Sequence, residues 1–181
     1  GTRLPAMDTL WVEGPMVRCV EDLALMLDAG VGYQADDPLS FDQSHISFVD
    51  HLTEGDAPTR VAFSPDLGIV PMAPEVAHIC GAAMGHFTGM GVEVTADAPD
   101  FTGVLEAFQS LRAVLFATLM EPILKQHRQQ IAPEIIGNIE RGLNIRPEQI
   151  FTAERVRIEL YKKVMAFFKT HDFLICPAAS I

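Results

Sequence analysis

Cysteine is scarce in this sequence, and its distribution excludes two classes of protein. The three cysteines, Cys19, Cys80 and Cys176, are widely spaced and lie among apolar residues. An odd and scattered set predicts neither a disulfide framework nor a metal cluster, and it suits a reducing cytoplasm.

The longest unbroken apolar runs are far shorter than the ~20 residues that a membrane-spanning helix needs. The first residues also lack the features of a secretory signal.

Basic residues are also few. The chain has 13 Lys and Arg against 24 Asp and Glu, which gives a formal net charge of −11. A protein with this charge repels phosphate backbones and anionic lipid. We therefore expect neither nucleic acid nor a membrane as a partner.

Apolar residues are abundant and make up 49% of the 181 residues. This length is enough for one globular domain with a core, so a single domain over residues 1–181 is expected. Residues 31–58 are polar and have no sustained period, which predicts a long surface loop. Loops of this length within a compact domain are usually functional or mobile.

The middle of the chain predicts a βαβ unit. Residues 59–64 and 92–95 are short β-type runs, and between them a helical apolar stripe starts at Pro74 and continues to Met90. Strands joined through a helix within this length pair in parallel, with a right-handed crossover. A third strand is predicted over residues 173–176, before Pro177.

The remaining pattern is helical. Apolar residues recur at three- and four-residue steps over 20–29, 101–119 and 131–143, and again in a last helix that begins at Pro147. Pro122 is expected to kink or end the second of these helices. The fold class is therefore α/β, with about three mostly parallel strands and five to six helices.

No assembly for nucleophilic catalysis is evident in this sequence. Such chemistry needs a serine or cysteine beside a base, and a glycine-rich loop or sharp turn that supplies N–H groups to an oxyanion. The serines fall in no Gly-x-Ser-x-Gly, Ser-x-x-Lys or Ser-Ser pattern; they are Ser40, Ser44, Ser47, Ser64, Ser110 and Ser180. His78 and Cys80 lie two apart, whereas metal ligands on one helix face are spaced by three or four.

The loop over residues 31–58 carries the other polar candidates. Asp42, His45, Asp50 and His51 could line a pocket there, and the competing interpretation is a solvated loop surface. We expect no metal site and no cofactor.

Several motifs, taken in order, resemble the amidase signature family. Gly14-Pro15-Met16-Val17-Arg18, followed by Val20 and Asp22, is similar to the family segment Gly-Pro-Met-x-Arg-x-Val-x-Asp. Each motif alone is common, but their collinear order covers almost all of the chain. The further motifs are Asp37-Pro38, Arg60-Val61-Ala62, Ser64-Pro65-Asp66-Leu67-Gly68, Pro74-Glu75-Val76, Gly91-Val92-Glu93-Val94, Ile139-Glu140-Arg141-Gly142, Ala153-Glu154 with Arg157, and Asp172-Phe173-Leu174-Ile175-Cys176-Pro177.

This resemblance implies amide hydrolysis through a serine acyl-enzyme. In the family a serine attacks the amide carbonyl, a second serine in a cis peptide passes protons, and a buried lysine of lowered pKa acts as base. None of these positions maps onto this chain, because Thr2-Arg3-Leu4-Pro5 resembles the end of the stretch that follows the catalytic segment. We therefore expect the chain to be an interior to C-terminal-half fragment of an amidase domain. It should contain no catalytic residues and be inactive alone. Its expected contribution is sheet, helices and part of the wall of the substrate pocket.

The resemblance also suggests substrate-binding residues and partners. Asp8 and Trp11, beside the Gly-Pro turn, are the candidate substrate-binding residues, with a loop carboxylate and a packed indole as the alternative. The expected partners are a small-molecule amide, the missing catalytic part of the same chain, and a second copy in a homo-oligomer. Cys19 and Ala73 stand where the family usually has helix-capping residues.

Two other functions stay open at this point. One is a non-catalytic α/β binding or interaction module, and the other is a glutamine-dependent amidotransferase subunit. A glycine- and serine-rich stretch encoded upstream would distinguish an enzyme from an isolated module.

Overall fold

The computed structural model describes residues 8–10, 12, 14–43 and 45–180. Its internal contacts divide the chain into two units, Gly1–Asp56 and Ala57–Ile181. The single partial domain over residues 1–181 stays a prediction.

In the first unit, the described residues form two helices, α1 (Val20–Gly30) and α2 (Phe48–His51). The Asp28 carboxylate in α1 accepts hydrogen bonds from the backbone N–H of Phe48, at 2.6 Å, and of Val49, at 3.3 Å. The Phe48 N–H bond is the main cause that holds the pKa of Asp28 below its usual range. The pattern of residues 31–58 did not predict α2, because four residues are too few to show a helical period and this tertiary contact caps the helix.

The second unit contains the sheet, and its topology confirms the predicted βαβ unit. The strands β1 (Arg60–Phe63), β2 (Glu93–Ala96) and β3 (Phe173–Ile175) lie in the order β2-β1-β3, and both pairs are parallel. Helix α3 (Pro74–Gly89) connects β1 to β2. The central strand β1 therefore has a neighbour on each side.

The burial of β1 agrees with its central position. Val61 and Ala62 have no exposed surface, as expected for a parallel strand covered on both faces. Val61 lies opposite Val94 of β2 and Phe173 of β3. The sequence pattern placed all three strands to within one or two residues.

Three further helices complete the second unit. They are α4 (Val104–His127), α5 (Pro133–Leu143) and α6 (Pro147–Phe167), with a short 3-10 turn over Arg128–Gln130 between α4 and α5. Helix α4 packs against both α5 and α6. The described residues thus form six helices and a three-stranded parallel sheet, which confirms the predicted α/β class.

Helix α4 does not end at Pro122. It begins at Val104, after Gly103 in a left-handed conformation, and continues through the proline to His127. A proline in a helix interior removes one backbone hydrogen bond. Beyond the proline, Leu124 is buried, and Lys125 forms an ion pair with Glu121 at 2.7 Å. The burial of Leu124 favours continuation of the helix past the proline, whereas the exposed ion pair contributes little.

With the turn that follows it, α4 is also long and apolar enough to cross a membrane by length and composition alone. No unbroken apolar run marks this helix in the sequence, because charged and polar residues such as Glu106, Arg112 and Glu121 interrupt it. Its buried residues are Ala107, Ser110, Ala113, Leu115 and Leu124. Helix α4 packs on α5 and α6, and 33% of its most apolar 18-residue window is buried.

The contact between α4 and α5 depends on the motif Ile139-Glu140-Arg141-Gly142. Ile139 is fully buried, and Arg141 forms an ion pair with Glu106 of α4 at 2.7 Å. An added Cβ at Gly142 would meet the carbonyl oxygen of Ala113 and lie 2.7 Å from the Cβ of Ala117. The glycine is what allows α5 to approach α4 this closely.

The two helices expected to lack a capping side chain do lack one. Cys19 and Ala73 occupy the N-cap positions of α1 and α3, and neither side chain accepts a cap hydrogen bond. Pro74 at the first position of α3 partly compensates, because its missing N–H needs no partner.

Asp172 joins the start of β3 to the start of β1. Its carboxylate accepts hydrogen bonds from the backbone N–H groups of Thr59, at 2.7 Å, and Arg60, at 2.9 Å. The Arg60 bond, followed by the Thr59 bond, lowers the pKa of Asp172. A carboxylate whose folded pKa is depressed adds stability above its unfolded pKa of about 3.9, and this stability is lost as the pH falls through the folded pKa.

We expect the Asp172→Asn substitution to lower the free energy of unfolding at pH 7 and to reduce the loss of stability on acidification below about pH 4. The neutral amide accepts the same N–H groups more weakly and does not titrate. Urea unfolding measured from pH 2 to 7 tests this, with Asp36→Asn on the exposed surface as the control. An acid profile of Asp172→Asn parallel to that of the wild type would contradict the role of Asp172.

Candidate functional site

The carboxyl ends of the strands meet at one edge of the sheet. Because β1 and β3 are parallel neighbours, the segments that follow them, residues 64–72 and 176–180, leave the sheet at the same edge. In open α/β sheets, ligands bind in crevices outside the carboxyl ends of the strands. This edge is therefore where the topology favours a site.

The turn after β1 is fixed by the side chain of Ser64. Ser64 is buried, its N–H donates to the carbonyl of Ile175 at 3.0 Å, and its hydroxyl accepts from the N–H of Leu67 at 3.0 Å. The Asp66 carboxylate accepts from the N–H of Gly68 at 2.8 Å. Two side chains thus hold the backbone of a tight turn directly after the strand.

Leu67 has an unusual backbone conformation within this turn. Its φ of 54° makes it the one non-glycine residue with positive φ in the described part of the chain. For an L-amino acid with a side chain, the left-handed region costs roughly 1–2 kcal/mol. Gly68, which follows with φ 66°, occupies the same region without that cost.

A cavity of about 440 Å³ lies between the two segments. The N–H of Ala73 donates to the carbonyl of Ser180 at 2.9 Å, which ties the segment after β3 to the start of α3. The lining is mostly apolar; it consists of Pro65, Asp66, Leu67, Ile69, Val70, Met72, Cys176, Pro177, Ala178, Ala179 and Ser180. The volume falls within the ~300–1,000 Å³ of small-molecule sites.

The lining of this cavity suits binding. No Lys, Arg or His is among the described residues that line it, so its serine and cysteine have no amine or imidazole base beside them. Its apolar surface suits a hydrocarbon or aromatic group. The described residues also contain no group of three or more His, Cys, Asp or Glu that could hold a metal ion.

Comparison with known proteins identifies the family of this chain. The Amidase family model matches residues 3–181. The chain belongs to the amidase family.

Individual amidases agree with this assignment. The chain is 28% identical over 167 residues to an acylamidase of Rhodococcus erythropolis, a match that covers 91% of this chain and 35% of that protein. It is 24% identical over 169 residues to an amidase of Pseudomonas putida, covering 93% and 36% respectively. The crystal structure of a bacterial aryl acylamidase of the amidase signature family has the same fold, with a TM-score of 0.81 and 22% identity over 93% of this chain and 36% of that one. The chain thus spans little more than a third of the length of these amidases.

Three lysines of this amidase-family chain lie on exposed helix faces. All three form ion pairs at 2.7 Å: Lys125 with Glu121, Lys162 with Glu159, and Lys163 with Asp100. A lysine acts as a base only where burial favours its neutral form. None of these three has that environment.

The substrate-binding residues predicted for the amidase lie in the first unit. Asp8 is half-buried, and its carboxylate accepts a hydrogen bond from the N–H of Leu10 at 2.7 Å. Trp11 lies outside the described residues. The role of this pair in substrate binding stays a prediction.

The polar loop residues form an open pocket of about 520 Å³ in the first unit. His45, Asp50 and His51 line it and are exposed, and His51 Nδ1 lies 2.7 Å from the carbonyl oxygen of Ser47. Asp42 is not among the lining residues. This exposure agrees with the interpretation of a solvated loop surface.

The cavity at the carboxyl edge was not predicted as a site from the sequence. Its two segments, Ser64-Pro65-Asp66-Leu67-Gly68 and Cys176-Pro177, were recognised only as family motifs. Their position could have indicated the site, because each segment follows directly after a strand of one parallel sheet, and ligands bind at the carboxyl ends of such strands.

Proposed function

We propose that this chain is part of an amidase that hydrolyses a carboxylic amide through a serine acyl-enzyme. In this proposal the described residues supply sheet, helices and one wall of the substrate pocket. The observation that carries it is the apolar cavity at the carboxyl edge of the parallel sheet in a chain of the amidase family.

The cavity would bind the apolar acyl or aryl part of the amide. Apolar surface removed from water contributes about 25 cal/mol per Å², so an alkyl or aromatic group gains affinity from the lining alone. The lining also keeps water away from the bound group. The nucleophile, the base and the oxyanion donors would come from the other part of the amidase.

The names of the relatives support a small-molecule amide as the substrate class. They include an acylamidase, an aryl acylamidase and a 6-aminohexanoate cyclic dimer hydrolase that was solved in complex with substrate. We propose that the present protein also acts on a small-molecule amide and uses no cofactor. Asp8 and Trp11 stay proposed contacts on the substrate.

The cellular setting is part of the same proposal. Cys19, Cys80 and Cys176 are free thiols. Free thiols persist in reducing compartments, so we propose the cytoplasm.

An amide hydrolysis assay tests the proposal. We expect the protein encoded by the complete reading frame to hydrolyse aryl or aliphatic amides at least about 10⁶-fold above the uncatalysed rate. The 181-residue chain alone should stay at buffer background, because none of the catalytic serine and lysine positions of the amidase signature family maps onto its sequence.

Two controls make the assay decisive. Ser64→Ala and Ser110→Ala should leave the background rate of the isolated chain unchanged, and a loss with either would reveal a nucleophile in this chain. A complete protein that releases ammonia from glutamine alone would support an amidotransferase instead. No hydrolysis of any amide by the complete protein would reject the proposal.

A further inference from the structure

The turn after β1 does not need a leucine side chain at position 67. Glycine and asparagine adopt the left-handed region more readily than leucine, and either would form this turn with less strain. A large apolar residue nevertheless occupies the position, with φ 54°. Residues held in such conformations concentrate at functional sites, where the surrounding structure maintains them.

The surrounding structure does maintain this conformation. Ser64 is buried, is bonded to Ile175 through its own N–H, and accepts the N–H of Leu67 through its hydroxyl. Asp66 fixes the next peptide through the N–H of Gly68. The side chain of Leu67 is half-buried and forms part of the cavity wall.

We propose that Leu67 is a specificity-determining residue, whose side chain limits the size of the acyl or aryl group that enters the cavity at the carboxyl edge of the sheet. Ser64 is the positioning residue that holds Leu67 in this conformation. This inference rests on the proposed function. It adds that the substrates are amides whose acyl or aryl group is compact and apolar.

The experiment compares short and long acyl anilides as substrates of the complete protein, with acetanilide and hexananilide as the pair. In Leu67→Gly the turn is retained, because glycine takes positive φ freely, while the side chain is lost. We expect the ratio of kcat/KM for hexananilide to that for acetanilide to rise about tenfold, in line with the discrimination that one or a few methylene groups provide. Ile79→Ala, on the exposed face of α3 and outside the cavity lining, should leave the ratio unchanged.

Ser64 is tested through the same ratio. Ser64→Ala should change it, mainly through KM, because Leu67 is no longer held, and Ser64→Thr should restore it because the hydroxyl is kept. A merely structural role would lower kcat/KM equally for both anilides. An unchanged ratio in Leu67→Gly would overturn the inference even if the protein is an amidase.

A binding measurement separates this inference from the proposed function. If the complete protein hydrolyses no amide, the proposed function fails, and binding of the two anilides is then measured by calorimetry. Tighter binding of hexananilide in Leu67→Gly than in the wild type would still support a size limit at Leu67. Equal binding in both proteins, or no binding, would overturn it.

Discussion

Gly142→Ala is expected to destabilise the second unit by about 3 kcal/mol, the upper end for overpacking. The new methyl group would meet the carbonyl oxygen of Ala113 and lie 2.6 Å from the carbonyl carbon of the same residue. Both atoms belong to the backbone of α4, so no side-chain rotation relieves the overlap. Relief requires α5 to move away from α4, which disturbs the burial of Ile139.

Gly137→Ala provides a matched control in the same helix. No atom lies within 4 Å of an added Cβ at Gly137. Alanine there should stabilise the protein by about 1 kcal/mol, because glycine is the poorer helix former. Thermal or urea unfolding of the two variants compares them directly, and similar effects at both positions would show that Gly142 has no special packing role.

The second large expected effect is self-association of the isolated chain. Strand β3 is paired on one side only among the described residues, and its Phe173 is 56% exposed. Unpaired strand edges next to apolar side chains favour pairing with another chain. Further large apolar residues are exposed on the helices, among them Ile79, Phe151, Ile158 and Met165.

Light scattering over a concentration series measures this association. We expect the average mass of the isolated chain to exceed the 19.8 kDa of one copy and to fall towards it in Phe173→Lys, because a charge on an edge strand opposes pairing. Ala82→Lys, at an exposed position of α3, controls for a general effect of added charge. A wild-type chain that remains a monomer at high concentration would contradict the expectation.

The sheet and most helices could be predicted because their signals are local. The helical stripe from Pro74 lies between two β-type runs, and this order dictates parallel pairing of β1 and β2. Each signal depends only on the period of the apolar residues. Apart from the end of α4, predicted at residue 119 and found at His127, their positions in the sequence agreed with the structure to within a few residues.

The features that could not be predicted depend on contacts between distant residues. Helix α2 requires the carboxylate of Asp28, and α4 passes Pro122 because Leu124 is buried beyond it. Gly142 matters because it contacts the backbone of α4 at Ala113, which is 29 positions away in the sequence. Periodicity carries no information about such partners.

The candidate site also combines features with a local signal and features that depend on contacts between distant residues. The sequence marked Ser64-Pro65-Asp66-Leu67-Gly68 as a family motif, and the structure added the tight turn, the positive φ of Leu67 and the cavity beside it. Only the pairing of β1 with β3 brings residues 64–72 and 176–180 together, across more than a hundred positions of sequence. The predicted contact residues Asp8 and Trp11 stay untested.

We propose that the cavity at the carboxyl edge of the sheet receives the apolar group of an amide substrate. A crystal structure of the complete protein with a slowly hydrolysed anilide bound tests this proposal. We expect carbon atoms of the acyl or aryl group to lie within about 4.5 Å of Leu67, Met72 and Pro177, the distance of apolar contact. An anilide bound in the active site with its apolar groups out of contact with residues 65–72 and 176–180 would contradict it.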